Sequence, residues 1–267
     1  MHEGKVLITG GRGRLARVLK VYLEKAGWEV WAPHREELDL AIHDLEGMLA
    51  GANLNWIVHP AACSAVDLCQ IRPDIAHRDN VWATRRLVDA ATALRLPGIT
   101  LGTDYVFGDR EGPFREDDPP GPINIYGQSK WEAEQLSLAA GWAVARTAWL
   151  WGDGAGFPKW VVETAQAMGR VEVLPQWGVP THLADVAQVL VELGPGANGI
   201  YHLVGDEGLS RAEWARLILD RMGLGSVPVV ELPHPSPPGL APRPRDTRLL
   251  NTRGDIPRLR SVRGCAL

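Results

Sequence analysis

The sequence contains few cysteines, no long apolar run and no excess of basic residues. Its three cysteines among 267 residues, Cys63, Cys69 and Cys265, are odd in number and lack CxxC spacing, which argues against a disulfide framework or a cysteine zinc site. No apolar run approaches the roughly 20 residues that a membrane span needs. The formal net charge of -4 and the sequence pI of about 6.1 argue against a nucleic-acid-binding surface. We therefore expect a cytoplasmic protein with reduced thiols, whose partners include neither a membrane nor a nucleic acid.

Signals for secretion and for metal binding are equally scarce. The first residues, MHEGKVLITG, contain too short an apolar run for a signal peptide and lead directly into a glycine motif. The histidines are scattered, without HxH or HExxH spacing, so we interpret them as structural. No metal site is predicted from these residues.

The sequence does contain a regular alternation of short apolar runs and helical patterns. The runs that we interpret as strands are KVLIT, WEVWAP, WIVHPAA, GITLGTDYVFG, WAVARTAWLWG and GIYHLVG. Strands that alternate with helices predict parallel βαβ units, and continuous apolar strands are typical of a sheet covered on both faces. The predicted fold class is therefore α/β, a Rossmann-type doubly wound parallel sheet with a smaller C-terminal lobe.

A glycine-rich turn joins the first strand to the first helix. Gly10, Gly13 and Ala16 give the pattern GxxGxxA, in which glycines permit a tight turn and let a pyrophosphate approach the helix N-terminus. Glycines punctuate many turns, but the position between the first strand and the first helix favours a dinucleotide. The residues that we predict to bind it are Gly10, Gly11, Arg12, Gly13, Arg14 and Leu15 in the turn, and Arg35, Asp39 and Leu40 after the second strand.

The end of the second strand indicates which dinucleotide binds. An acidic residue there favours NAD, whereas an arginine favours the 2′-phosphate of NADP. The strand ends in APHR with Arg35 at its tip, and Arg12 lies within the glycine turn. We therefore predict NADPH, with NADH as the open alternative, since both arginines could instead be solvated surface charges.

A hydroxyl, a phenol and an ammonium are predicted to meet beside the nicotinamide. Thr103 ends the fourth strand, and the segment NIYGQSK places Tyr126 and Lys130 four residues apart on one face of the next helix. We expect Lys130 to lower the pKa of Tyr126 so that the phenol can pass a proton, and Thr103 to hold a carbonyl oxygen. The alternative is a packed tyrosine beside a lysine that reaches solvent.

Motifs along nearly the whole chain carry a resemblance to a known family. They include TGGRGRLA, HPAACSAVD, GTDYVF, NIYGQSK, RTAWLWG, QWGVPTHLADVA and APRPRDTRLLNT. Together they resemble the extended short-chain dehydrogenase/reductases, and within these most closely the dTDP-4-dehydrorhamnose reductases. The resemblance implies that Tyr126 is the proton donor, that Lys130 binds the nicotinamide ribose and that Ala61, Ala62 and Cys63 line the cofactor. It also leaves a dependence on Mg²⁺ open.

The triplet after the fourth strand helps to choose the reaction. Sugar-nucleotide dehydratases of this fold typically have Thr-Asp-Glu there, whereas this sequence has Thr-Asp-Tyr. Because the acid for elimination is missing, reduction is favoured over dehydration. The residues that we predict to bind a nucleotide-linked sugar are Asp104, Tyr105, Trp149, Arg243 and Arg245. The two arginines are expected to grip a diphosphate, and Trp149 could instead be a core residue.

The domain boundaries follow from a change of rhythm after Gly152. Residues 1–150 are predicted to form the NAD(P)-binding domain, with return elements near residues 171–204. Residues 151–170 and 205–267 are predicted to form the smaller, substrate-binding lobe, whose last part is rich in proline and arginine. Ser210 and Glu213 give a capping-box pattern at the start of a helix in this lobe.

Several functions stay open from the sequence. The leading one is NADPH-dependent reduction of a nucleotide-linked 4-keto-6-deoxysugar, dTDP-4-dehydro-L-rhamnose to dTDP-L-rhamnose. The second is reduction or epimerisation of another nucleotide sugar, since Gly102 and Gln70 depart from the family pattern near the sugar site. The third is a non-catalytic NADP-binding regulatory subunit like that of methionine adenosyltransferase, against which the intact Thr103, Tyr126 and Lys130 argue. The exact sugar, its nucleotide and the formation of a homodimer also stay open.

Overall fold

The computed structural model describes residues 4–233 and 239–265. The proline cluster at 234–238, which the sequence assigns to the smaller lobe, and the last two residues lie outside the described part. The strands are β1 (Gly4–Ile8), β2 (Trp28–Trp31), β3 (Trp56–His59), β4 (Gly98–Thr103), β5 (Ala143–Thr147), β6 (Leu150–Trp151), β7 (Val171–Val173), β8 (Trp177–Gly178), β9 (Thr181–His182), β10 (Ile200–His202), β11 (Leu209–Ser210) and β12 (Val229–Glu231).

A six-stranded parallel sheet forms the centre of the larger domain, in the order β10-β5-β4-β3-β1-β2. The direction of the strand order reverses between β1 and β3. In doubly wound sheets, ligands bind in the crevice that such a reversal leaves at the carboxyl ends of the strands. The predicted fold class is confirmed.

Helices cover both faces of this sheet. The helices of the described residues are α1 (Arg14–Lys25), α2 (Leu45–Gly51), α3 (Val66–Ile71), α4 (Pro73–Ala76), α5 (Ala83–Ala93), α6 (Ile125–Ala139), α7 (Phe157–Met168), α8 (Leu183–Leu193) and α9 (Arg211–Arg221), with a π-helical turn at His77–Trp82 and 3₁₀ turns at Asp104–Val106, Gly194–Gly196 and Val262–Gly264. Of these, α7 and α9 belong to the smaller lobe and do not cover the sheet. Val6 and Ile8 of β1 pack in a core with α1 and α8, whereas Leu7 packs in a second core with α2 and α5. Because successive residues point to opposite faces, this continuous apolar strand is buried on both sides.

The smaller lobe is built around α7 and α9. Trp151, Val161 and Trp214 belong to its separate core. Strand β7 pairs in parallel with β12, and its residues Val171 and Val173 pack in the same core. The sequence places residues 171–173 with the return elements of the larger domain, but the structure places them in the smaller lobe because their side chains pack there. Helix α8 and strand β10 do return to the large sheet.

The segment between β3 and β4 contains several consecutive helical pieces. A short helix, α3, comes first, and then α4, the π-helical turn and α5 follow one another directly. The π turn carries Asn80, which is fully buried. Single π turns inside helices are frequent at functional sites. In the smaller lobe, the predicted capping box of Ser210 and Glu213 is confirmed at the start of α9.

Candidate active site

A cavity of about 500 Å³ opens at the carboxyl ends of the central strands. Its lining includes the following predicted site residues: Gly10, Arg12, Gly13, Arg14, Leu15, Arg35, Asp39, Leu40, Ala61, Ala62, Tyr126 and Lys130. The predicted residues Gly11, Cys63 and Thr103 are chain neighbours of lining residues. One cavity thus brings together the glycine turn and the tyrosine–lysine pair.

The glycine turn has the geometry that a pyrophosphate needs. Gly10 has φ of +65°, in the region that favours glycine. The backbone N–H of Gly11 donates to the carbonyl oxygen of Pro33 at 3.0 Å, and a Cβ at Gly11 would lie 2.1 Å from the carbonyl oxygen of Ala32. Gly13 precedes α1 and offers no side-chain acceptor to the first-turn amides. Those amides can therefore receive an anionic group at the helix N-terminus.

The two arginines predicted to bind the 2′-phosphate have carboxylate partners. The Arg35 guanidinium donates to both oxygens of Asp79 at 2.7 and 2.9 Å and to Asp39 at 3.3 Å. The hydrogen bond to Asp79 is the main cause that raises the pKa of Arg35. Arg12 donates to Glu36 at 2.8 Å. The sequence has no carboxylate at the tip of β2, but in the folded chain Glu36, Asp39 and Asp79 pair with the two arginines. A 2′-phosphate would therefore have to compete with Asp79 for Arg35.

Arg14 and Asp39 hold walls of the cavity in place. Arg14 Nε donates to Asp153 at 2.8 Å, which joins the glycine turn to the loop before α7. Asp39 accepts from Arg78 at 2.8 Å and from the backbone N–H of Ala41 at 2.9 Å. Both side chains therefore have positioning contacts within the protein in addition to their place in the lining.

The structure brings Thr103, Tyr126 and Lys130 together. Thr103 is the last residue of β4, is buried and hydrogen-bonds the Tyr126 side chain. Asn124 caps α6 by accepting the N–H of Gly127 at 2.8 Å, so that the helix begins just before Tyr126. Lys130 is one turn further along α6 and is also buried. The spacing of four residues therefore places the tyrosine and the lysine on the same cavity wall.

Burial governs the pKa of the tyrosine and of the lysine. It raises the pKa of Tyr126 above the ordinary value, against the lowering effect of the hydrogen bond with Thr103. It lowers the pKa of Lys130 to about 8, against the raising effect of Glu134. The net shift of the Tyr126 pKa is thus upward in the protein alone and not downward as predicted, because removal from water dominates. The phenol of Tyr126 is neutral at neutral pH and holds the proton that a donor must deliver.

A buried amide supports the backbone around this pair. Asn80 Oδ1 accepts the N–H of Cys63 at 2.7 Å, and Asn80 Nδ2 donates to Ser129 Oγ at 2.9 Å. Ser129 Oγ in turn donates to the carbonyl oxygen of Tyr126 at 2.9 Å. Asn80 is buried, so it supports the backbone of the site and does not face solvent. Cys63 and Cys69 are free thiols with their sulfur atoms 3.6 Å apart.

A buried ion pair lies behind β4, and sequence reasoning missed it. Arg146 Nε and Nη2 both donate to Glu134 at 3.0 Å, with both side chains removed from solvent. A Cβ at Gly102 would lie 2.3 Å from Glu134 Oε1, so glycine leaves room for this carboxylate. The signal for Glu134 was its position four residues after Lys130, on the same helix face.

The predicted sugar-site residues Asp104 and Tyr105 are buried beside Tyr126. Burial raises the pKa of Asp104 to about 6, opposed by the hydroxyl groups of Thr247 and Thr103. The Tyr105 ring meets the Tyr126 ring edge-on, with centroids 5.7 Å apart. Both residues therefore lie next to Tyr126 in the folded chain.

Trp149 belongs to an aromatic stack between the two lobes. Its φ is +41°, which is unusual for a residue other than glycine, and its ring stacks on Trp214 at 5.5 Å. The Arg211 guanidinium lies 3.7 Å from the centroid of Trp149 on the stack. Sequence reasoning missed Arg211, because only the packing of α9 brings it next to Trp149.

The two arginines of the C-terminal loop have different surroundings. Arg243 donates to both oxygens of Asp67 at 2.8 and 2.9 Å, and Asp67 also accepts the N–H of Ala241 at 3.0 Å. Arg245 is exposed, and its backbone N–H donates to Asp109 at 3.1 Å. Arg243 therefore links the C-terminal loop to α3. The two arginine side chains have different environments, so they do not form the expected pair around one diphosphate.

Residues 4–233 and 239–265 contain neither a cluster of metal-ligand side chains nor a membrane-spanning helix. That part of the chain contains no group of three or more His, Cys, Asp or Glu side chains that could hold a metal ion, and thus nothing that supports the Mg²⁺ dependence left open above. None of its helices is long and apolar enough to cross a bilayer.

Comparisons with known proteins agree with this geometry. The family described as RmlD substrate binding domain matches residues 4–256. A dTDP-4-dehydrorhamnose reductase from Mycolicibacterium smegmatis is 33% identical over 258 residues, which cover 93% of this chain and 79% of the relative. Methionine adenosyltransferase 2 subunit beta from Bos taurus is 30% identical over 92% of this chain and 80% of its own length.

A solved structure extends the comparison to the cofactor. The dTDP-4-dehydrorhamnose reductase from Bacillus anthracis in complex with NADP superimposes with a TM-score of 0.89 at 26% identity, over 98% of this chain and 96% of that chain. This fold, the glycine turn and the tyrosine–lysine pair on one cavity fit a nicotinamide dinucleotide. The chain therefore belongs to the RmlD substrate binding domain family, within the extended short-chain dehydrogenase/reductase group, and is an NAD(P)H-dependent oxidoreductase.

Proposed function

We propose that the protein catalyses the NADPH-dependent reduction of a nucleotide-linked 4-keto-6-deoxysugar, dTDP-4-dehydro-L-rhamnose to dTDP-L-rhamnose, with Tyr126 as the proton donor. The observation that carries the proposal is the convergence of Tyr126 and Lys130 with the glycine turn on one cavity. The likeness to dTDP-4-dehydrorhamnose reductases over more than nine tenths of the chain supports the choice of substrate class.

The chemistry divides between the cofactor and the chain. When bound, the reduced nicotinamide supplies a hydride to the carbonyl carbon of the sugar. The Tyr126 hydroxyl, which is neutral at neutral pH and whose pKa burial raises further, donates its proton to the oxygen that becomes an alkoxide. Thr103 orients the phenol through their hydrogen bond. The Lys130 ammonium stabilises the phenolate that remains.

The proposed cofactor residues are those of the glycine turn, the end of β2 and the loop after β3. Ala61 and Ala62 line the cavity, and Cys63 is held behind them through Asn80. NADPH is the proposed cofactor, since Arg12 and Arg35 line the part of the cavity next to the end of β2. Their carboxylate partners lead us to expect a moderate preference over NADH.

The proposed substrate residues are Asp104, Tyr105, Trp149, Arg243 and Arg245. Burial beside Tyr126 supports Asp104 and Tyr105, and Trp149 joins the two lobes through its stack. Arg243 acts through Asp67, by holding the C-terminal loop in place. The proposed domain division stays as predicted except for residues 171–173, which pack in the smaller lobe.

An assay of NADPH oxidation against a panel of nucleotide ketosugars tests the proposal. The panel pairs dTDP- with UDP-linked sugars and 4-keto-6-deoxysugars with other ketosugars. We expect turnover that is fastest with dTDP-4-dehydro-L-rhamnose and slower with NADH. Turnover of another panel member at a higher kcat/KM would replace the substrate, and no turnover of any member would contradict the reductase.

A regulatory subunit is the second candidate, favoured by the 30% identity to methionine adenosyltransferase 2 subunit beta. Such a subunit needs to bind the dinucleotide but has no need for a proton donor. Retained NADPH binding without turnover, together with a stable complex with a methionine adenosyltransferase in size-exclusion chromatography, would favour this candidate. The same column run measures whether the protein alone is a homodimer.

A further inference from the structure

One arginine at the junction of the two lobes, Arg211, has no role in the reaction proposed above. Arg211 begins α9, and its guanidinium lies 3.7 Å from the ring centroid of Trp149, 4.7 Å from that of Phe157 and 5.8 Å from that of Trp214. Planar guanidinium groups stack well on aromatic faces. The three rings hold the cation in one place between the lobes.

The charge of Arg211 is not matched by a nearby carboxylate. Within residues 4–233 and 239–265, no carboxylate oxygen comes within the 4.0 Å of an ion pair with this guanidinium. Burial lowers the pKa of Arg211 to about 10, and the more distant Tyr105 and Asp104 oppose that shift. A cation removed from water is unfavourable unless an anion or hydrogen-bond acceptors pair with it. The arrangement is that of a site that receives an anion.

The two predicted substrate arginines of the C-terminal loop differ in this respect. The Arg243 guanidinium donates hydrogen bonds to both oxygens of Asp67, and Arg245 is exposed to solvent. Arg211 combines a fixed orientation, partial burial and proximity to Tyr105 and Asp104. Of these three arginines, Arg211 is therefore the one whose guanidinium is oriented and lacks an ion-pair partner among the described residues, as binding of an anionic group of the substrate requires.

We infer that Arg211 recognises the diphosphate of the nucleotide-linked substrate and thereby determines that the enzyme takes a nucleotide sugar instead of a free sugar. The substrate class rests on the proposed function. Diphosphate is the fitting anion because guanidinium forms paired, charge-assisted hydrogen bonds with phosphate oxygens. Trp149 has a positioning role, since its ring fixes the plane of the guanidinium.

Calorimetric binding to the full chain tests the inference with four probes: dTDP, UDP, thymidine and uridine. The variant is Arg211→Met, which keeps an apolar stem against the Trp149 ring. The matched control is Arg253→Met, because Arg253 also stacks on a ring, 3.8 Å from the Tyr201 centroid, but has Asp255 as its ion-pair partner. We expect Arg211→Met to weaken dTDP binding about 30-fold and to leave thymidine binding unchanged. The control should change neither.

Three further measurements keep the outcome decisive. NADPH affinity and the melting temperature of each variant establish that the fold is intact, and Arg211→Lys, which keeps the charge but loses the planar fork, should bind dTDP with intermediate affinity. If Arg211→Met destabilises the fold, the Lys variant and the loss of dTDP affinity with added salt carry the test. Parent protein that binds dTDP no better than thymidine, or an Arg211→Met protein with parental dTDP affinity, would overturn the inference.

The same experiment separates this inference from the proposed reaction. Parent protein that reduces no ketosugar, but prefers dTDP to thymidine through Arg211, would contradict the reductase and keep the diphosphate site. Parent protein that reduces its ketosugar with an unchanged KM in Arg211→Met would keep the reductase and overturn the role of Arg211.

Discussion

The cofactor side of the cleft is made of turns that directly follow consecutive strands, whereas the substrate side is made of side chains that are far apart in the chain. The glycine turn follows β1, and Arg35 follows β2. Asp104 follows β4, Trp149 lies between β5 and β6, and Arg211 begins α9; they meet only where the two lobes pack. The cofactor side therefore depends on local backbone geometry, and the substrate side depends on the docking of one lobe against the other.

The two sides also differ in whether their arginines have ion-pair partners. On the cofactor side, Arg35 and Arg12 both have carboxylate partners at the rim of the cavity. On the substrate side, Arg211 has aromatic rings around it and no ion pair within the described residues. Exposed ion pairs contribute little and can exchange partners, whereas a partly buried cation has a strong requirement for an anion. Substitutions on the cofactor side should therefore change binding constants moderately, and substitutions where the two sides meet should change kcat more strongly.

The largest effect is expected at Tyr126, where the sides meet. Tyr126→Phe removes one oxygen and leaves the ring packing against Tyr105. If Tyr126 is the proton donor as proposed, kcat should fall by about 10²-fold or more, whereas a structural tyrosine would cost only about 0.5–1.5 kcal/mol of stability for one lost hydrogen bond. Steady-state kinetics with a thermal melt as the folding control distinguishes the two. A folded variant with the parental rate would show that the tyrosine only packs.

Replacement of the neighbouring lysine should affect both sides at once. Lys130→Met keeps the stem of the buried side chain and removes its charge. We expect kcat to fall by about 10²-fold, within the range of acid–base assistance, and the Kd for NADPH to rise. Fluorescence titration measures the second effect. Loss of kcat with unchanged NADPH affinity would contradict contact of Lys130 with the cofactor.

The pH dependence sharpens the assignment of roles within this pair. Burial lowers the pKa of Lys130 to about 8, so the ammonium is present below that pH and is lost as pH rises through it. The raised pKa of Tyr126 keeps the phenol neutral over the same range. The rate of reduction should therefore be constant below pH 8 and fall up to about tenfold per pH unit above it. A flat profile to pH 10 would exclude Lys130 as the titrating group, and Lys130→Arg, whose charge persists, should flatten it.

Cofactor preference is the next smaller effect. Arg35→Asp places a third carboxylate beside Asp39 and Asp79, so the 2′-phosphate of NADPH should be repelled. We expect the preference for NADPH over NADH to shrink by about tenfold or to reverse, with kcat largely kept. Arg35→Leu is the control that removes the cation without adding an anion. Equal affinity of the parent for both cofactors would contradict the preference itself.

The smallest effect is expected at the C-terminal loop. Arg243→Ala breaks the ion pair with Asp67, which is part-exposed, so its loss should matter little for stability. The KM for the nucleotide sugar should rise only a few-fold, with NADPH binding kept, and less than in Arg211→Met. An Arg243 effect larger than the Arg211 effect would reverse the comparison between these two arginines.

Much of the fold could be predicted from the sequence because its signals are local. Apolar runs such as that around Leu7 mark the buried strands, and glycines such as Gly10 and Gly13 mark the turn that follows. The spacing of Tyr126 and Lys130 placed both on one helix face, where the structure has them. Ser210 and Glu213 marked a helix start, because a capping box uses only residues within one turn.

The pattern of polar partners could not be predicted in this way. Asp79 reaches Arg35 across 44 positions of the chain, and Asp67 reaches Arg243 across 176. The sign of the Tyr126 pKa shift likewise depends on how completely the lobes remove the phenol from water, which no spacing encodes.

The sequence by itself determined the order of strands and helices, the glycine turn and the tyrosine–lysine face, because hydrogen bonding and side-chain periodicity act over a few residues. Only the tertiary structure decided that β7 belongs to the smaller lobe, that Arg243 is engaged by Asp67 and that Arg211 lies on Trp149. The physical reason is that burial and ion pairing depend on distances in space, and these are fixed only when separate elements pack together.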